Sequence, residues 1–186
     1  MVIGITGYLS AGKGLAAEYL EKQHGFINRG YGDTIREEMR QNGIELGRDN
    51  EYAYAAKKRA DEGFGYWSKK IVDSIKPGEN VVVEGIRNIK EIDELSRTGN
   101  FHLIFVDAPI ETRFARMQER SGRPNDPKTM TEFEEKENRE RSNPDPMMVS
   151  IDPCVKLAEY TVENGGDKQT MYNQLDKIVE EIKNGR

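Results

Sequence analysis

The sequence predicts an α/β fold in which helices cover both faces of a five-stranded parallel sheet, giving a three-layer sandwich. Short apolar runs rich in β-branched residues alternate with helical patterns along all 186 residues. The clearest runs, at 2–6, 81–85 and 101–108, are almost continuously apolar, which is typical of strands buried on both faces. A chain of this length is sufficient for one core, so we take 1–186 as a single domain.

The N-terminal half alternates short strands with longer helices. Its predicted elements are a strand at 2–6, a helix at 14–24, a strand at 26–28, and helices at 33–42 and 50–75. Gly25 follows the first helix, where glycine commonly ends the last turn. The turn-rich stretch NGIELGRDN separates the two later helices.

The C-terminal half repeats the alternation. Its predicted elements are a strand at 81–85, a helix at 88–97, a strand at 101–108, a helix at 109–120, a charged helix ending at 141, a strand at 158–162 and a helix at 167–184. Pro109 suits the first turn of its helix. We expect a loop at 121–129 and a proline-rich break at 143–153.

Composition excludes several classes of protein. The net charge of −5 is unsuited to a protein that coats nucleic acid, and no apolar run reaches the ~20 residues that span a bilayer. The N-terminus lacks the pattern of a signal peptide. A single cysteine, Cys154, and two histidines give neither an internal disulfide nor a Cys/His metal site. We therefore expect a cytoplasmic protein with no membrane or nucleic-acid partner.

Residues 7–14, GYLSAGKG, fit the phosphate-binding pattern G-x-x-x-x-G-K between a strand and a helix. Glycines let the loop turn its N–H groups inward, and the helix adds the positive end of its dipole. Lys13 would reach the outer phosphates of ATP. The motif predicts a P-loop NTPase fold, and the expected nucleotide contacts are Gly7, Ser10, Ala11, Gly12, Lys13, Gly14 and Leu15.

Gly14 occupies the position at which a serine or threonine hydroxyl normally ligates Mg²⁺. The ion would then rely on phosphate oxygens, waters and a carboxylate from elsewhere. Glu84, at the end of VVVEG, is the first candidate and acts through water; Asp33 is the second. The competing interpretation of Gly14 is a loop that has lost its activity.

Three stretches resemble adenylate kinases in the same order. GKG matches their phosphate loop, YGDTIREEM resembles T-G-D-x-L-R, and VVVEGIRN resembles D-G-F-P-R. The resemblance implies an acceptor-binding helical insertion at 33–75. It also implies that Arg36 contacts the acceptor's phosphate, that Glu84 takes the acidic position and that Arg87 takes the arginine position.

The later segments continue the resemblance. RFARMQERSGRPND is similar to the start of an arginine-bearing lid, here 121–128, ENRERS to the helix after it, and LAEYTVENGG to the segment beside the donor base, which implicates Asn164. Leu15 replaces a threonine, Ile86 replaces a proline, and the lid is short. The chain therefore resembles the broader P-loop kinase group that includes deoxynucleoside monophosphate kinases and dephospho-coenzyme A kinases.

Phosphoryl transfer needs positioning and positive charge more than covalent help from the protein. The sequence predicts a catalytic set of Lys13, Arg87, Arg120, Arg123 and Asp33, and an acceptor-binding set of Asp33, Arg36, Arg59, Arg87 and Arg139. Arg120 is also expected to contact the donor nucleotide. Acidic neighbours offer the lid and helix arginines an alternative, a solvated salt-bridged face.

Several residues carry two interpretations. Asp33 is either a general base or a helix cap, and Asp107 fits a helix start better than a metal ligand. Asn164 either passes the donor adenine or forms a plain turn. The tyrosines and tryptophan within 51–67 fit core packing better than an acceptor pocket.

The sequence therefore predicts an ATP- and Mg²⁺-dependent kinase whose acceptor is a small nucleotide, foremost a ribo- or deoxynucleoside monophosphate. Its rivals are dephospho-coenzyme A kinase and a P-loop switch that transfers nothing. The sequence favours no oligomeric state.

Overall fold

A five-stranded parallel sheet organises the protein in a computed structural model that describes residues 1–120, 126–145 and 148–185. The strands are β1 Val2–Thr6, β2 Ile27–Asn28, β3 Val81–Ile86, β4 Phe101–Asp107 and β5 Tyr160–Glu163. They lie in the order β2-β3-β1-β4-β5, and every pairing is parallel. The predicted fold class is confirmed.

Nine helices cover the sheet in the described part of the chain. They are α1 Lys13–His24, α2 Tyr31–Gln41, α3 Arg48–Glu62, α4 Tyr66–Ser74, α5 Ile89–Ser96, α6 Ile110–Glu119, α7 Met130–Arg141, α8 Ile151–Lys156 and α9 Lys168–Lys183. Residues of α1 and α9 pack on one sheet face, and residues of α4, α5 and α8 pack on the other. None of the described helices is long and apolar enough to cross a membrane.

Three helices intervene between β2 and β3, and we call α2–α4 the helical insertion. Its small core includes Met39 and the fully buried Trp67. Beside this core, the carboxylate of Glu38 accepts hydrogen bonds from the hydroxyls of Tyr54 and Tyr66. These two tyrosines therefore stabilise the insertion, in agreement with the interpretation that the sequence favoured.

Three helix boundaries differ from those predicted. The expected helix at 50–75 is broken into α3 and α4, because Gly63 ends α3 with a φ of 96°. The break expected at 143–153 contains α8; Pro153 sits in its first turn, where the missing N–H has no helical partner. Helix α2 begins at Tyr31 with Gly30 as its N-cap, so Asp33 lies inside the first turn and is not the cap.

The carboxyl ends of the strands meet at one edge of the sheet, where parallel α/β folds bind their ligands. Strand β1 leads directly into the glycine-rich loop, and Ile5 of β1 is in register with Glu84 of β3. The Thr6 hydroxyl donates to the Ile86 carbonyl (2.9 Å), which joins the ends of these two strands. The topology thus places Glu84 beside the phosphate-binding motif.

Candidate active site

The loop from Gly7 to Gly12 is shaped by close backbone approaches. Gly7 has a φ of 155°, and a Cβ there would lie 2.2 Å from the Val106 carbonyl oxygen. Gly12 has a φ of 103°, and a Cβ there would lie 2.1 Å from Nδ2 of Asn164. Both positions therefore require glycine. Gly12 is also the N-cap of α1, so the helix N-terminus opens onto the loop.

Asn164 stabilises this loop from behind. Its buried side-chain amide donates to the Ala11 carbonyl (2.8 Å), and its backbone N–H donates to the Asp107 carbonyl (2.7 Å). The side-chain nitrogen is thus engaged by the loop. Neither interpretation from the sequence, a contact to the donor adenine or a plain turn, included this contact.

Ser10 and Lys13 supply polar atoms on the inner side of the loop. Ser10 adopts a φ of 59°, and its buried Oγ has no hydrogen-bond partner among the described residues. Lys13 Nζ donates to the carbonyls of Gly7 and Tyr8, each at 2.8 Å. Burial, with Arg87 nearby, lowers the pKa of Lys13 to about 8. An incoming anion would raise the pKa of this ammonium group and stabilise its charged form.

A cavity of about 550 Å³ lies in front of the loop, and we call it the donor cavity. Besides the loop itself, its walls include Glu84, Arg87, Arg116, Arg120, Asn164 and Lys168. Arg120 pairs with Asp126 at 3.1 Å. Arg116 was not among the predicted site residues, yet its Nη1 is buried with no partner in the described structure. The signal in the sequence was its position four residues before Arg120.

A second cavity of about 760 Å³ lies between the sheet edge and the helical insertion, and we call it the acceptor cavity. It is lined by Asp33, Arg36, Arg59 and Arg87 together with aromatic side chains that include Tyr52 and Phe64. Arg36 is held by Asp33 (2.6 Å) and Glu51 (3.1 Å). Tyr52 is 78% exposed at this cavity, so it is not a core residue.

Glu84 and Arg87 line both cavities. Arg87 is half exposed and lies 3.8 Å from Glu140 of α7. The two cavities therefore meet at one carboxylate and one guanidinium group, next to Lys13. This arrangement suits the transfer of a charged group from one bound molecule to another.

The loop fits the phosphates of a nucleotide, because the N-terminus of α1 opens onto it, Lys13 Nζ lies at it, and the buried Ser10 Oγ has no partner among the described residues. A Mg²⁺ ion would find two carboxylates on the wall of the donor cavity, those of Glu84 and Glu119, and Glu84 is the one that also lines the acceptor cavity and acts on Lys13. In the described residues no cluster of three or more His, Cys, Asp or Glu side chains could hold a metal. Glu84, waters and phosphate oxygens would thus share the ion.

Arg139 and the lid at 121–128, which includes Arg123, are the predicted site features that remain. Arg139 is exposed and donates to the Glu135 carbonyl of its own helix (3.2 Å), so the structure brings it to neither cavity. Arg141 instead stacks over the ring of Tyr8 in the glycine-rich loop, 4.9 Å from its centroid. Arg123 and most of the predicted lid at 121–128 lie outside the described residues.

Asp107 ends β4, and α6 begins at Ile110 with Pro109 as its N-cap, so Asp107 does not start the helix. Its Oδ1 is buried without a hydrogen-bond partner in the described structure, and its nearest cation is Arg113 Nε at 3.7 Å. Burial raises the pKa of this carboxyl group. It lines neither the donor nor the acceptor cavity.

The sheet order, the glycine-rich loop and the helical insertion define a protein with the P-loop kinase fold. Residues 3–142 match the family described as AAA domain (AAA_18). The chain belongs to that family and to the UPF0200 proteins. It is 34% identical over 190 residues to a UPF0200 protein of Methanocaldococcus jannaschii, covering 99% of this chain and 91% of that one. A UPF0200 protein of Thermococcus kodakarensis is 28% identical, with 98% of each chain covered.

Solved kinase structures share the fold. A shikimate kinase from Bacteroides thetaiotaomicron superposes with a TM-score of 0.62 at 15% identity and covers 98% of each chain. A gluconokinase from Sinorhizobium meliloti gives a TM-score of 0.52 at 15% identity, covering 99% of this chain and 96% of that one. At such identity the likeness establishes the architecture alone.

Proposed function

We propose that the protein is an ATP- and Mg²⁺-dependent phosphotransferase that moves the γ-phosphoryl group to a small nucleotide, foremost a nucleoside or deoxynucleoside monophosphate. The observation that carries the proposal is the junction of two cavities at Glu84 and Arg87. One cavity has a phosphate-binding loop, and the other has three arginines and an aromatic wall.

The transfer step relies on the positively charged side chains near the junction of the two cavities. An oxygen of the acceptor's phosphate forms the new P–O bond while the bond from the γ-phosphorus to the β–γ bridging oxygen breaks, and ADP leaves with that electron pair. Lys13 and Arg87 neutralise charge near the transferred group, and Arg120 does so from the donor side. Glu84 and its waters would hold the metal. A phosphate acceptor brings its own nucleophile, so no base is needed.

A hydroxyl acceptor, such as the ribose of dephospho-coenzyme A, is the second candidate. It is supported by Asp33, whose carboxylate is 78% exposed, lines the acceptor cavity and is not the cap of α2. A hydroxyl nucleophile must lose a proton, and this carboxylate could accept it. Shikimate and gluconate kinases share the fold, although that likeness says nothing of the acceptor.

The test is ADP formation from Mg·ATP against all ribo- and deoxynucleoside monophosphates and dephospho-coenzyme A. We expect one group of monophosphates to stimulate ADP formation and to appear as diphosphates in equal amount. Arg87→Met should abolish the stimulation, whereas Arg97→Met should not, because Arg97 pairs with Glu94 at the end of α5 and lines neither cavity. ATP binding without stimulation by any acceptor would refute transfer and favour a nucleotide switch.

A further inference from the structure

The buried carboxyl group of Glu91 lies in the acceptor cavity, and the transfer chemistry above gives it no task. Glu91 is the third residue of α5 and is 2% exposed. One oxygen accepts a hydrogen bond from the backbone N–H of Arg87 (2.8 Å). The other lies 4.0 Å from Nη2 of Arg59 on α3. Glu91 therefore connects the side chain of Arg59 on α3 to the backbone of Arg87 just after β3.

Four titratable groups from four elements face this carboxyl group. They are Arg59 of α3, Arg87 after β3, Tyr31 of α2 and Cys154 of α8. Burial raises the pKa of Glu91 to about 7, and the backbone N–H of Arg87 and the two guanidinium charges offset the burial only in part. Protonation of Glu91 in the neutral pH range would leave the Arg59 guanidinium without this carboxylate, whereas the Arg87 guanidinium pairs with Glu140.

Arg59 is the least satisfied of the three acceptor-cavity arginines. Its Nε is buried without a hydrogen-bond partner in the part of the chain described, and Glu91 is at the outer limit of an ion pair. Its guanidinium group stacks on the ring of Phe64 at 4.9 Å, which fixes the plane of its donors. Arg36, by contrast, is already held by two carboxylates. Arg87 is half exposed and lies 3.8 Å from Glu140. The buried donor that lacks a partner among the described residues therefore belongs to Arg59, and a guanidinium group can bind phosphate through two parallel hydrogen bonds.

We propose that Arg59 is the principal ligand of the acceptor's phosphate group, and that this phosphate replaces the carboxylate of Glu91, which takes up one proton from solvent. The physical reason is that a phosphate and a carboxylate cannot both stay ionised side by side in a buried site. No other bond changes in this step. Glu91 is a positioning residue, because it lies against the Arg59 guanidinium and holds the backbone N–H of Arg87 before the acceptor arrives. The identity of the anion as the acceptor rests on the proposed function.

Sulfate is the probe, since it resembles a phosphate group and does not titrate near neutral pH. The donor cavity is first saturated with Mg²⁺ and a non-hydrolysable ATP analogue, and sulfate binding is followed by NMR of the arginine side chains. We expect sulfate to bind about tenfold more tightly at pH 6 than at pH 8, since the pKa of Glu91 near 7 lies between them. Proton uptake on binding, measured calorimetrically in several buffers, should approach one proton at pH 8 and nearly vanish at pH 6, where Glu91 is already mostly protonated before sulfate binds.

Variants separate this mechanism from a structural role. Glu91→Gln keeps an oxygen to accept from the Arg87 N–H, so it should fold and bind sulfate equally well at both pH values. Arg59→Met should lose at least about tenfold in sulfate affinity, the equivalent of roughly one strong charged hydrogen bond. Arg40→Met is the matched control, because Arg40 is an exposed arginine of α2 that lines neither cavity, and it should retain the wild-type affinity and pH dependence.

A wild-type affinity that does not change with pH would overturn the proposal, and so would an unchanged pH dependence in Glu91→Gln or normal sulfate binding in Arg59→Met. Sulfate binding requires no transfer. Failure here, with acceptor-stimulated ADP formation intact, would therefore remove the role of Arg59 and Glu91 and leave the kinase assignment standing. If instead sulfate binds as expected but no acceptor stimulates ADP formation, the protein has this anion site and does not transfer phosphate.

Discussion

Glu137 of α7 accepts two hydrogen bonds from the guanidinium group of Arg113 on α6, and both side chains are only 5% exposed. Arg113 also donates to the carbonyls of Leu9 (3.3 Å) and Ala108 (2.8 Å). One buried ion pair therefore ties the glycine-rich loop to the helix that follows the predicted lid. A solvated, salt-bridged face was the alternative interpretation for the arginines of this helix, and at Arg113 the salt bridge is present but buried.

Loss of one partner of this pair should destabilise the protein strongly. Arg113→Met leaves Glu137 buried without its cation, and we expect the free energy of unfolding to fall by about 3–5 kcal/mol. Arg113→Met with Glu137→Met should recover part of that loss. Urea denaturation measures the free energy of unfolding of both variants. The control is Arg139→Met, on the exposed face of α7, which should cost less than about 0.5 kcal/mol. A loss of under about 1 kcal/mol for Arg113→Met would contradict the buried pair.

Gly12 and Gly14 offer a matched pair of alanine substitutions where the glycine-rich loop joins α1. Gly12→Ala places a methyl group 2.1 Å from Asn164 Nδ2 on a backbone with positive φ, whereas a methyl group at Gly14 meets no atom within 4 Å. We expect Gly12→Ala to weaken Mg·ADP binding by at least about tenfold, the cost of strained backbone at a binding loop. Gly14→Ala should bind normally by calorimetry. Equal affinities in the two variants would disprove the close approach.

The hydroxyl that Gly14 lacks can be restored. Gly14→Ser has space for its side chain, because the site is open, and its Oγ would stand where this motif usually ligates Mg²⁺. We expect tighter Mg²⁺ binding in the nucleotide complex, with Gly14→Ala as the control. If Glu84 and waters already hold the metal, Glu84→Gln should weaken Mg²⁺ binding in the wild type and less so in Gly14→Ser. Manganese titration followed by EPR would measure these affinities.

Donor binding should depend on pH through Lys13. The pKa of this ammonium group is lowered to about 8 by burial and by Arg87, and phosphates need its charged form. Affinity for Mg·ADP should therefore be constant below pH 8 and fall with rising pH above it, approaching tenfold per unit. Lys13→Met should bind weakly at every pH, while Lys22→Met, exposed on the same helix, should keep the wild-type profile. A flat profile for the wild type would exclude Lys13 as the titrating group.

Asp33 separates the two acceptor classes. With a monophosphate acceptor, Asp33→Asn should change kcat only modestly, because no proton needs removal, and any effect should arise through its partner Arg36. With a hydroxyl acceptor, kcat should fall by about a hundredfold or more at unchanged folding. Initial rates with the acceptor that stimulates ADP formation distinguish these outcomes. Glu37→Gln, exposed on the same helix, is the control.

The order of strands and helices was predictable because apolar runs and helical periodicity are local properties of the sequence. The phosphate-binding loop was predictable for the same reason, because the backbone freedom of its glycines and the charge of its lysine are properties of those residues themselves. Boundaries were less predictable. The break at Gly63 and the helix begun just before Pro153 depend on a single backbone angle and on a first helical turn that tolerates proline.

What the sequence by itself determined was the P-loop kinase fold and the edge of the sheet at which the site lies, since both follow from contiguous segments. Only the tertiary structure decided which arginine does what. Arg113 is buried, Arg139 donates to its own helix, Arg36 pairs with two carboxylates, and Arg59 keeps a buried N–H without a partner among the described residues. Guanidinium groups look alike in a sequence, and their roles depend on which carboxylates the fold brings within reach. Those carboxylates belong to elements that are distant in the sequence, so no local sequence pattern predicts the pairing.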